Sequence, residues 1–282
     1  MLLPGRPGEV GTLYVVATPI GNLEDITLRA LRILSEVDLI AAEDTRTTRK
    51  LLTHYGIKTP LTSYWEHNKL VKLHSILDTL AERDVALVSK AGMPGISDPG
   101  YELIRAALEK GYGVVPVPGP SAPVAALVAS GFPTDSFVYL GFLPRKAGQR
   151  RSLLASLDGE TRTVVAFEAP HRLLAALEDI TEALGERQVA VARELTKLHE
   201  EVVRGTSAEV LDHFRKHPPR GEVTLVIGGA TEAAWGQKRV EQALRRLGSE
   251  GKTGSRAVKE VARLSRRPRA EVYDIWLGME DE

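Results

Sequence analysis

The sequence contains no cysteine, and this absence excludes disulfides, thiolate nucleophiles and zinc sites built on cysteine. None of its apolar runs approaches the ~20 residues that a membrane-spanning helix needs. The first ten residues contain proline and glycine rather than the apolar core of a signal peptide. These absences favour a protein that works in a reducing compartment and not in a membrane, and we expect a cytoplasmic location.

The chain also lacks the usual nucleotide-binding patterns. Its first strand-like run is followed by Pro19 and Asn22 where Gly-x-Gly-x-x-Gly would need glycine, and no Gly-x-x-x-x-Gly-Lys-Ser/Thr loop is present. NAD and ATP are therefore poorly supported as ligands. The histidines show no metal-ligand spacing, since His67 and His74 are too far apart for an i, i+4 pair. We predict no metal site.

The chain also has no formal net charge, because 37 Lys and Arg balance 37 Asp and Glu. The balance is uneven along the chain, since the segment 238–269 holds eleven basic and three acidic residues. A basic terminal module on an otherwise acidic body favours a polyanionic partner. A solvated helical face explains the same charges equally well.

With 282 residues, 43% of them hydrophobic, the chain is long enough for about two domains. Apolar, β-branched runs alternate with amphipathic stretches, which predicts an α/β fold with a mostly parallel sheet. We predict two α/β domains, residues 1–119 and 120–230, and a basic helical extension, residues 231–282, compatible with a helix-turn-helix. The strand-like runs are 13–17, 39–42, 85–88, 114–117, 137–142, 164–167, 189–192 and 223–227.

Three loops rich in proline and glycine follow three of these runs, at Thr18–Asp25, Ser89–Gly100 and Pro118–Ala122. Glycine allows a ligand to approach the backbone and permits positive φ, and proline fixes φ. Ligands of open α/β sheets bind beyond the carboxyl ends of the strands, so three such loops along one edge predict a binding pocket. For any single loop, a tight connection without a ligand is an equal alternative.

The same segments carry a family resemblance. Together they resemble the tetrapyrrole-methylase superfamily, the class III methyltransferases, and within it the bacterial methyltransferases of small-subunit ribosomal RNA. The basic extension resembles the helix-turn-helix of that family. The matching segments are Ala17–Asp25, Ala42–Arg46, Ser89–Gly100, Val117–Ala122, Gly141–Lys146, Phe167–Leu173, Ala192–Lys197 and Arg204–Gly205.

The chain departs from the usual pattern of this family at three positions. The family commonly has Asp, Thr and Ser where this chain has Lys90, Met93 and Ala169. Met93 still offers a backbone N–H and an apolar contact, so binding of a cofactor by the main chain is preserved. Lys90 replaces a carboxylate with a cation but leaves the pocket in place.

The resemblance implies that S-adenosylmethionine binds between the two α/β domains and that no metal takes part. The loops suit this ligand because they offer small apolar residues and backbone groups and few lysines or arginines for phosphates. The cofactor-binding residues that the resemblance implies are Pro19, Ile20, Gly92, Met93, Ile96, Ser97, Ser121, Ala122, Phe142, Leu143 and Thr224.

The reaction that the resemblance implies is methylation of the ribose 2′-hydroxyl of a cytidine in the decoding region of 16S rRNA, by a homodimer. Glu168 is the leading candidate for a general base, because it ends an apolar run and precedes a proline-initiated helix. An equal alternative is that Glu168 orients Arg172 or caps that helix. Glu43 and Asp44 are two adjacent acidic residues at the end of a strand-like run. For this pair, a structural salt-bridge cluster is favoured over a position in the RNA-facing cleft.

A basic cluster that follows the run 137–142 suits the phosphates of rRNA or of the small ribosomal subunit. An alternative interpretation of this cluster is a solvated start of a helix. Two other functions stay open: a methyltransferase of small tetrapyrrole-like rings, against which the basic extension argues, and an rRNA-binding assembly factor without catalysis. The predicted RNA-binding residues are Arg145, Lys146, Arg150, Arg151, Arg172, Arg266, Arg267 and Arg269.

Overall fold

The computed structural model describes residues 10–230, 237–249, 254–265 and 267–280. Its first five strands form one wholly parallel sheet, with the strand order β3-β2-β4-β1-β5. Every residue of the central strand β4 is buried, as expected where helices cover both faces of a parallel sheet. The prediction of a parallel sheet is confirmed for this half. The strands are β1 (Thr12–Val16), β2 (Leu39–Ala42), β3 (Leu61–Ser63), β4 (Val85–Val88) and β5 (Gly113–Val117).

Four helices cover this sheet. They are α1 (Leu28–Glu36), α2 (Thr45–His54), α3 (Lys69–Leu80) and α4 (Tyr101–Glu109). The side chains of Thr27 and Asp44 accept hydrogen bonds from backbone N–H groups at the starts of α1 and α2, which satisfies donors that the helices leave unpaired. One buried cluster lies around α1 and α2 and another around α3 and α4, so the sheet has a core on each face.

The second sheet has the order β6-β7-β10-β8-β9 and is mixed. Only β6 and β7 pair in parallel, and the other three pairings are antiparallel. Four of these strands coincide with predicted strand-like runs, whereas β9 was not predicted, because its residues are partly exposed and include an arginine and a glycine. The strands are β6 (Phe137–Phe142), β7 (Thr163–Glu168), β8 (Gln188–Arg193), β9 (Glu201–Thr206) and β10 (Val223–Ile227).

Helices again cover both faces. These are α5 (Ala122–Ser130), α6 (Ala147–Ala155), α7 (Leu173–Leu184) and α8 (Ser207–Lys216). Ala126 and Leu127 of α5 pack on one face against β7, β8 and β10, and the main core lies on the other face. Helix α5 thus packs on the second sheet, and the exact domain boundary near residue 119 stays a prediction.

The C-terminal part contains three helices, α9 (Gln237–Ser249), α10 (Gly254–Ser265) and α11 (Arg269–Glu280). They enclose a small core of their own, in which Val240, Val258, Val261 and Val272 are fully buried. This core explains why the basic segment folds into helices and does not stay an extended tail. Within the described ranges, no helix is long and apolar enough to cross a membrane.

Candidate cofactor and substrate pocket

A cavity of about 480 Å³ lies between the two sheets, at the carboxyl edge of the first. Its volume falls in the range typical of small-molecule sites. The loops after β1, β4 and β5 form one wall, and residues of β6, β7 and β10 form the other. The predicted convergence of the three loops at one edge is therefore what the structure shows.

Backbone contacts hold the first wall together. Thr18 and Gly92 exchange two N–H to carbonyl hydrogen bonds of 2.9 Å, which join the first loop to the central loop. Gly92 has a φ of +74°, a conformation that glycine adopts without cost. Ser97 has a φ of +63°, unusual for a residue with a side chain. The central loop is thus fixed in a shape that few other sequences could adopt.

Two polar contacts connect this wall to the second half of the chain. The hydroxyls of Ser97 and Tyr139 are 2.7 Å apart, and the backbone N–H of Asn22 donates to the Thr196 hydroxyl at 3.0 Å. At Gly21, a Cβ would collide with the backbone and side chains of residues 195–197. Glycine is therefore required at position 21 for the close approach of the first loop to the second half.

The second wall consists of side chains. Phe142 and Phe167 form an aromatic pair with ring centroids 5.2 Å apart, and Phe142 is 58% exposed at the cavity. Thr224 is buried and stands opposite Phe167 in the pairing of β10 with β7. An apolar, aromatic surface with one hydroxyl suits a flat heterocycle.

Glu168 lies in this wall and is 2% exposed. Its Oε1 accepts the N–H of Ala169 at 2.7 Å and forms an ion pair with Arg172 Nη2 at 2.6 Å. Among the described residues, its Oε2 is buried and has no hydrogen-bond partner, and the same holds for Nε and Nη1 of Arg172. Buried polar atoms without a partner are uncommon, so Glu168 Oε2 keeps an unused capacity to accept a hydrogen bond.

Further acidic groups line the cavity, namely Glu43, Asp98 and Glu222, with Lys90 among them. The backbone N–H of Lys90 donates to Glu43 Oε2 at 2.8 Å, and its ammonium is 3.8 Å from Glu222 Oε1. Burial and the neighbouring Glu43 carboxylate raise the pKa of Asp98 to about 7, against the opposing effects of the Ser89 hydroxyl and Lys90. The pocket is therefore acidic and favours a cationic ligand over phosphate.

Most of the predicted cofactor-binding residues meet in this cavity. Pro19 does not line it. Leu143 is buried in the core of the second sheet, because its backbone N–H pairs with Phe167 while its side chain packs inward. The predicted residues that line the cavity are Ile20, Gly92, Met93, Ile96, Ser97, Ser121, Ala122, Phe142 and Thr224.

The predicted RNA-binding residues differ from one another in exposure and in ion pairing. Arg145 and Lys146 are exposed. Arg150 is 4% exposed and pairs with Asp179 at 2.6 Å, so the expectation that it meets phosphates is corrected: its charge is already neutralised in the interior. The exposed Arg151 pairs with Asp179 at 2.8 Å.

Of the remaining predicted basic residues, Arg172 is turned inward to Glu168. Arg266 lies outside the described residues. Arg267 is partly buried, with its Nε buried and without a partner, and Arg269 is exposed and 3.3 Å from the Ser255 hydroxyl. The exposed predicted cations in the described part of the chain are thus Arg145, Lys146, Arg151 and Arg269.

Several pocket residues were missed by sequence reasoning. Asp98 lies in the central loop, and in the sequence only its position among small polar residues indicated that it belongs to the pocket. Glu222 and Phe167 gave no such indication, because only strand pairing brings them to the cavity. Glu43 lines the cavity, whereas Asp44 caps α2 and pairs with Arg46 at 3.5 Å; a position of Glu43 in the RNA-facing cleft stays a prediction.

Comparison with known proteins is consistent with this geometry. The family model described as tetrapyrrole (corrin/porphyrin) methylases matches residues 12–211. The chain belongs to the tetrapyrrole methylase family. It is 48% identical over 276 residues to the ribosomal RNA small subunit methyltransferase I of Synechocystis sp., covering 96% of this chain and 99% of that protein. It is 53% identical over 221 residues to the protein of the same name from Thermotoga maritima, covering 78% of this chain and 99% of that protein.

Solved structures of tetrapyrrole methylases share the fold. A uroporphyrin-III-C-methyltransferase from Thermus thermophilus matches with a TM-score of 0.55 and 24% identity, over 77% of this chain and 94% of that one. A cobalt precorrin-4 methyltransferase matches with a TM-score of 0.59 and 19% identity, over 77% and 94%. These similarities establish the two-sheet architecture of the family for this chain. In the described residues, no group of three or more His, Asp or Glu is placed to hold a metal ion.

Proposed function

We propose that this protein transfers a methyl group from S-adenosylmethionine to the ribose 2′-hydroxyl of a cytidine in the decoding region of 16S rRNA. The observation that carries the proposal is the acidic pocket with a backbone-built wall, in a chain 48% identical to a ribosomal RNA small subunit methyltransferase I. The small substrates named for the structural neighbours are less favoured, because those neighbours are at most 24% identical.

The residues of the pocket fit this cofactor. S-adenosylmethionine has a positively charged sulfonium and an ammonium group, and the pocket offers Glu43, Asp98, Glu168 and Glu222 against Lys90. Glu168 Oε2 has no partner among the described residues, and burial raises the pKa of Asp98 to about 7, a shift that a bound cation would oppose. The aromatic side chains of the second wall suit an adenine ring. Ile20, Gly92, Met93, Ile96, Ser97, Ser121, Ala122, Phe142 and Thr224 would hold the cofactor.

When bound, the cofactor supplies a methyl carbon whose bond to sulfur breaks as the bond to the 2′-oxygen forms. The protein contributes mainly by positioning, which can supply up to ~7–11 kcal/mol of the barrier. Glu168 is the proposed acceptor of the hydroxyl proton, and because its side chain is fully buried, this role requires a rotation that brings Oε2 to the pocket. The pair with Arg172 and the bond from Ala169 N–H fix the orientation of that carboxylate through Oε1.

RNA binding, a cytoplasmic location and a homodimer belong to the same proposal. Arg145, Lys146 and Arg269 are exposed cations available to phosphates, whereas the exposed Arg151 is already paired with Asp179. On α5, Val124 and Val128 are 50% and 69% exposed and lie one turn apart, a surface that a second copy would cover. Light scattering of the purified chain tests the dimer, and a monomeric mass at micromolar concentration would contradict it.

The decisive experiment incubates the purified protein with methyl-labelled S-adenosylmethionine and either small ribosomal subunits or free 16S rRNA. Both substrates come from cells that lack their own ribosomal RNA small subunit methyltransferase I. Nuclease digestion and mass spectrometry then identify the labelled nucleoside. We expect 2′-O-methylcytidine. Label in added uroporphyrinogen but not in RNA would support a small-ring methyltransferase, and RNA binding without label would support an assembly factor.

A further inference from the structure

One face of α2 has an unusual concentration of positive charge. It presents four exposed basic side chains, Arg46, Arg49, Lys50 and His54, and the ten residues of the helix include no acid. Positions separated by three, four or eight residues lie on the same side of a helix. The opposite side packs into the core through Leu51. The basic side is therefore fixed in place by a buried face.

On several other helices of this chain, a cation has an acidic partner one turn away. Arg32 and Glu36 on α1 are paired at 2.6 Å, for example. Arg49 and Lys50 have neither an ion pair nor a side-chain hydrogen bond anywhere in the described ranges. Like charges one turn apart repel each other, and of the Arg and Lys side chains on this face only Arg46 is near an acid among the described residues, 3.5 Å from Asp44. An anionic ligand would therefore compensate the charges of Arg49 and Lys50.

This face is close to the pocket. Glu43 lines the pocket, and the next residue, Asp44, caps α2. A groove runs between α2 and Leu23, which belongs to the loop that gives Ile20 to the pocket. The groove also offers the hydroxyls of Thr45 and Thr53. From Arg46 to His54 the basic face extends about 12 Å along the helix.

We propose that this α2 groove binds the sugar–phosphate backbone of the rRNA next to the nucleotide that enters the pocket. The proposal rests on the proposed function and names a contact surface for its substrate. Arginine and lysine contacts to phosphates fix the register of a nucleic acid without reading its sequence. The groove would thus place a nucleotide flanking the target on the first half of the chain, while the cations after β6 hold RNA on the second half.

The test uses the double variant Arg49→Gln and Lys50→Gln, which removes two exposed charges without breaking a contact in the fold. The matched control is Arg83→Gln with Lys110→Gln. Those two residues are exposed, carry the same charge and precede β4 and β5, so they lie at the edge of the first sheet opposite the pocket. Affinity for 16S rRNA is measured over a range of salt concentrations, and cofactor affinity by calorimetry.

We expect the α2 variant to bind 16S rRNA about tenfold or more weakly at low salt, with the slope of log affinity against log salt reduced by about 1.4 for two lost phosphate contacts. Cofactor affinity should stay at the wild-type value. The control should match wild type in rRNA affinity, in the salt dependence of that affinity and in cofactor affinity. Wild-type affinity and slope in the α2 variant, or an equal loss in the control, would overturn the inference. Wild-type protein that binds rRNA through α2 but transfers no methyl group would refute the proposed function and leave this inference standing.

Discussion

The two walls of the pocket are built in different ways. The wall from the first half consists of backbone, in loops where Gly92 and Ser97 adopt positive φ and Thr18 pairs with Gly92. The wall from the second half consists of side chains projecting from paired strands, such as Phe142 and Thr224. The first wall therefore depends on a few residues with special backbone geometry, whereas the second depends on the size and polarity of its side chains.

The strongest test of this difference is Gly92→Val. A Cβ at this position would meet Ile20 and the Pro120 carbonyl at ordinary contact distances of 3.6 and 3.7 Å, so space is not the obstacle. The obstacle is the φ of +74°, which a β-branched residue adopts only with strain. We expect cofactor affinity to fall at least about 100-fold, equivalent to ~2.7 kcal/mol, by calorimetry with S-adenosylmethionine.

Gly131→Val is the matched control. Gly131 has a φ of +76° at the end of α5 and open space around it, so the substitution causes a comparable backbone strain away from the pocket. The control should lose similar stability and keep its cofactor affinity. If both variants lose affinity equally, the shape of the first wall is not what binds the cofactor.

Glu168→Gln tests a fully buried carboxyl group of the second wall. Loss of the proton acceptor should lower the rate of methyl transfer by about 10²–10⁴-fold. The free energy of unfolding should fall by about 3 kcal/mol, because Arg172 then carries a buried charge without its partner. Single-turnover kinetics and denaturant unfolding measure the two effects.

Glu201→Gln is the control for that substitution. Glu201 pairs with Arg193 at 3.0 Å, in the same half of the chain but outside the pocket, and its side chain is 34% exposed. It should affect neither rate nor cofactor affinity. Should Glu168→Gln lower stability as predicted while transfer stays within a few-fold of wild type, Glu168 serves to orient Arg172 and the proton leaves by another route.

The first wall was predictable from the sequence because its geometry is local. Glycine and proline in the segment 89–100 restrict the backbone wherever they occur, and buried parallel strands appear as continuous apolar runs. Strand ends followed by such loops therefore indicated the edge at which the pocket lies. The resemblance to a family added the prediction that the ligand is S-adenosylmethionine, which loop geometry alone did not specify.

The second wall was only partly predictable because long-range pairing builds it. Thr224 reaches the cavity because β10 pairs antiparallel with β7, a register that neither strand encodes by itself. Leu143 directly follows strand β6, and the family resemblance implied that it binds the cofactor, yet its side chain packs into the core. Arg150 looked like one of several exposed cations, and only the packing of α6 on α7 brings it to Asp179.

A smaller effect concerns Asp98, an ionisable group of the first wall. Its pKa is raised to about 7 by burial and by Glu43, with Glu222 acting in the same direction and Ser89 and Lys90 opposing. The folded protein therefore resists ionisation of this group, and the free energy of unfolding should decline as pH rises from about 4 through 7. We expect a decline of about 1–2 kcal/mol, because solvent screens the partly exposed carboxylate.

Asp98→Asn removes this titration, so its stability should stay flat where that of wild type declines. Urea unfolding at several pH values from about 4 to about 8 makes the comparison. Tyr139 also faces Asp98, and its own pKa is raised by burial above 10, so it stays protonated throughout this range. Parallel stability curves for the two proteins would show that Asp98 ionises normally.

The smallest expected effect is that of Lys90→Asp, which introduces the residue that the family resemblance led us to expect at this position. The backbone N–H of residue 90 would still hold Glu43, so the shape of the loop should persist. The substitution replaces a cation that lowers the pKa of Asp98 with an anion that raises it. The pH range over which stability declines should therefore move upward, by less than about one pH unit because the side chain at this position is 58% exposed. An unchanged pH range would mean that Lys90 acts on Glu222 alone, and a downward shift would contradict the electrostatic description of this wall.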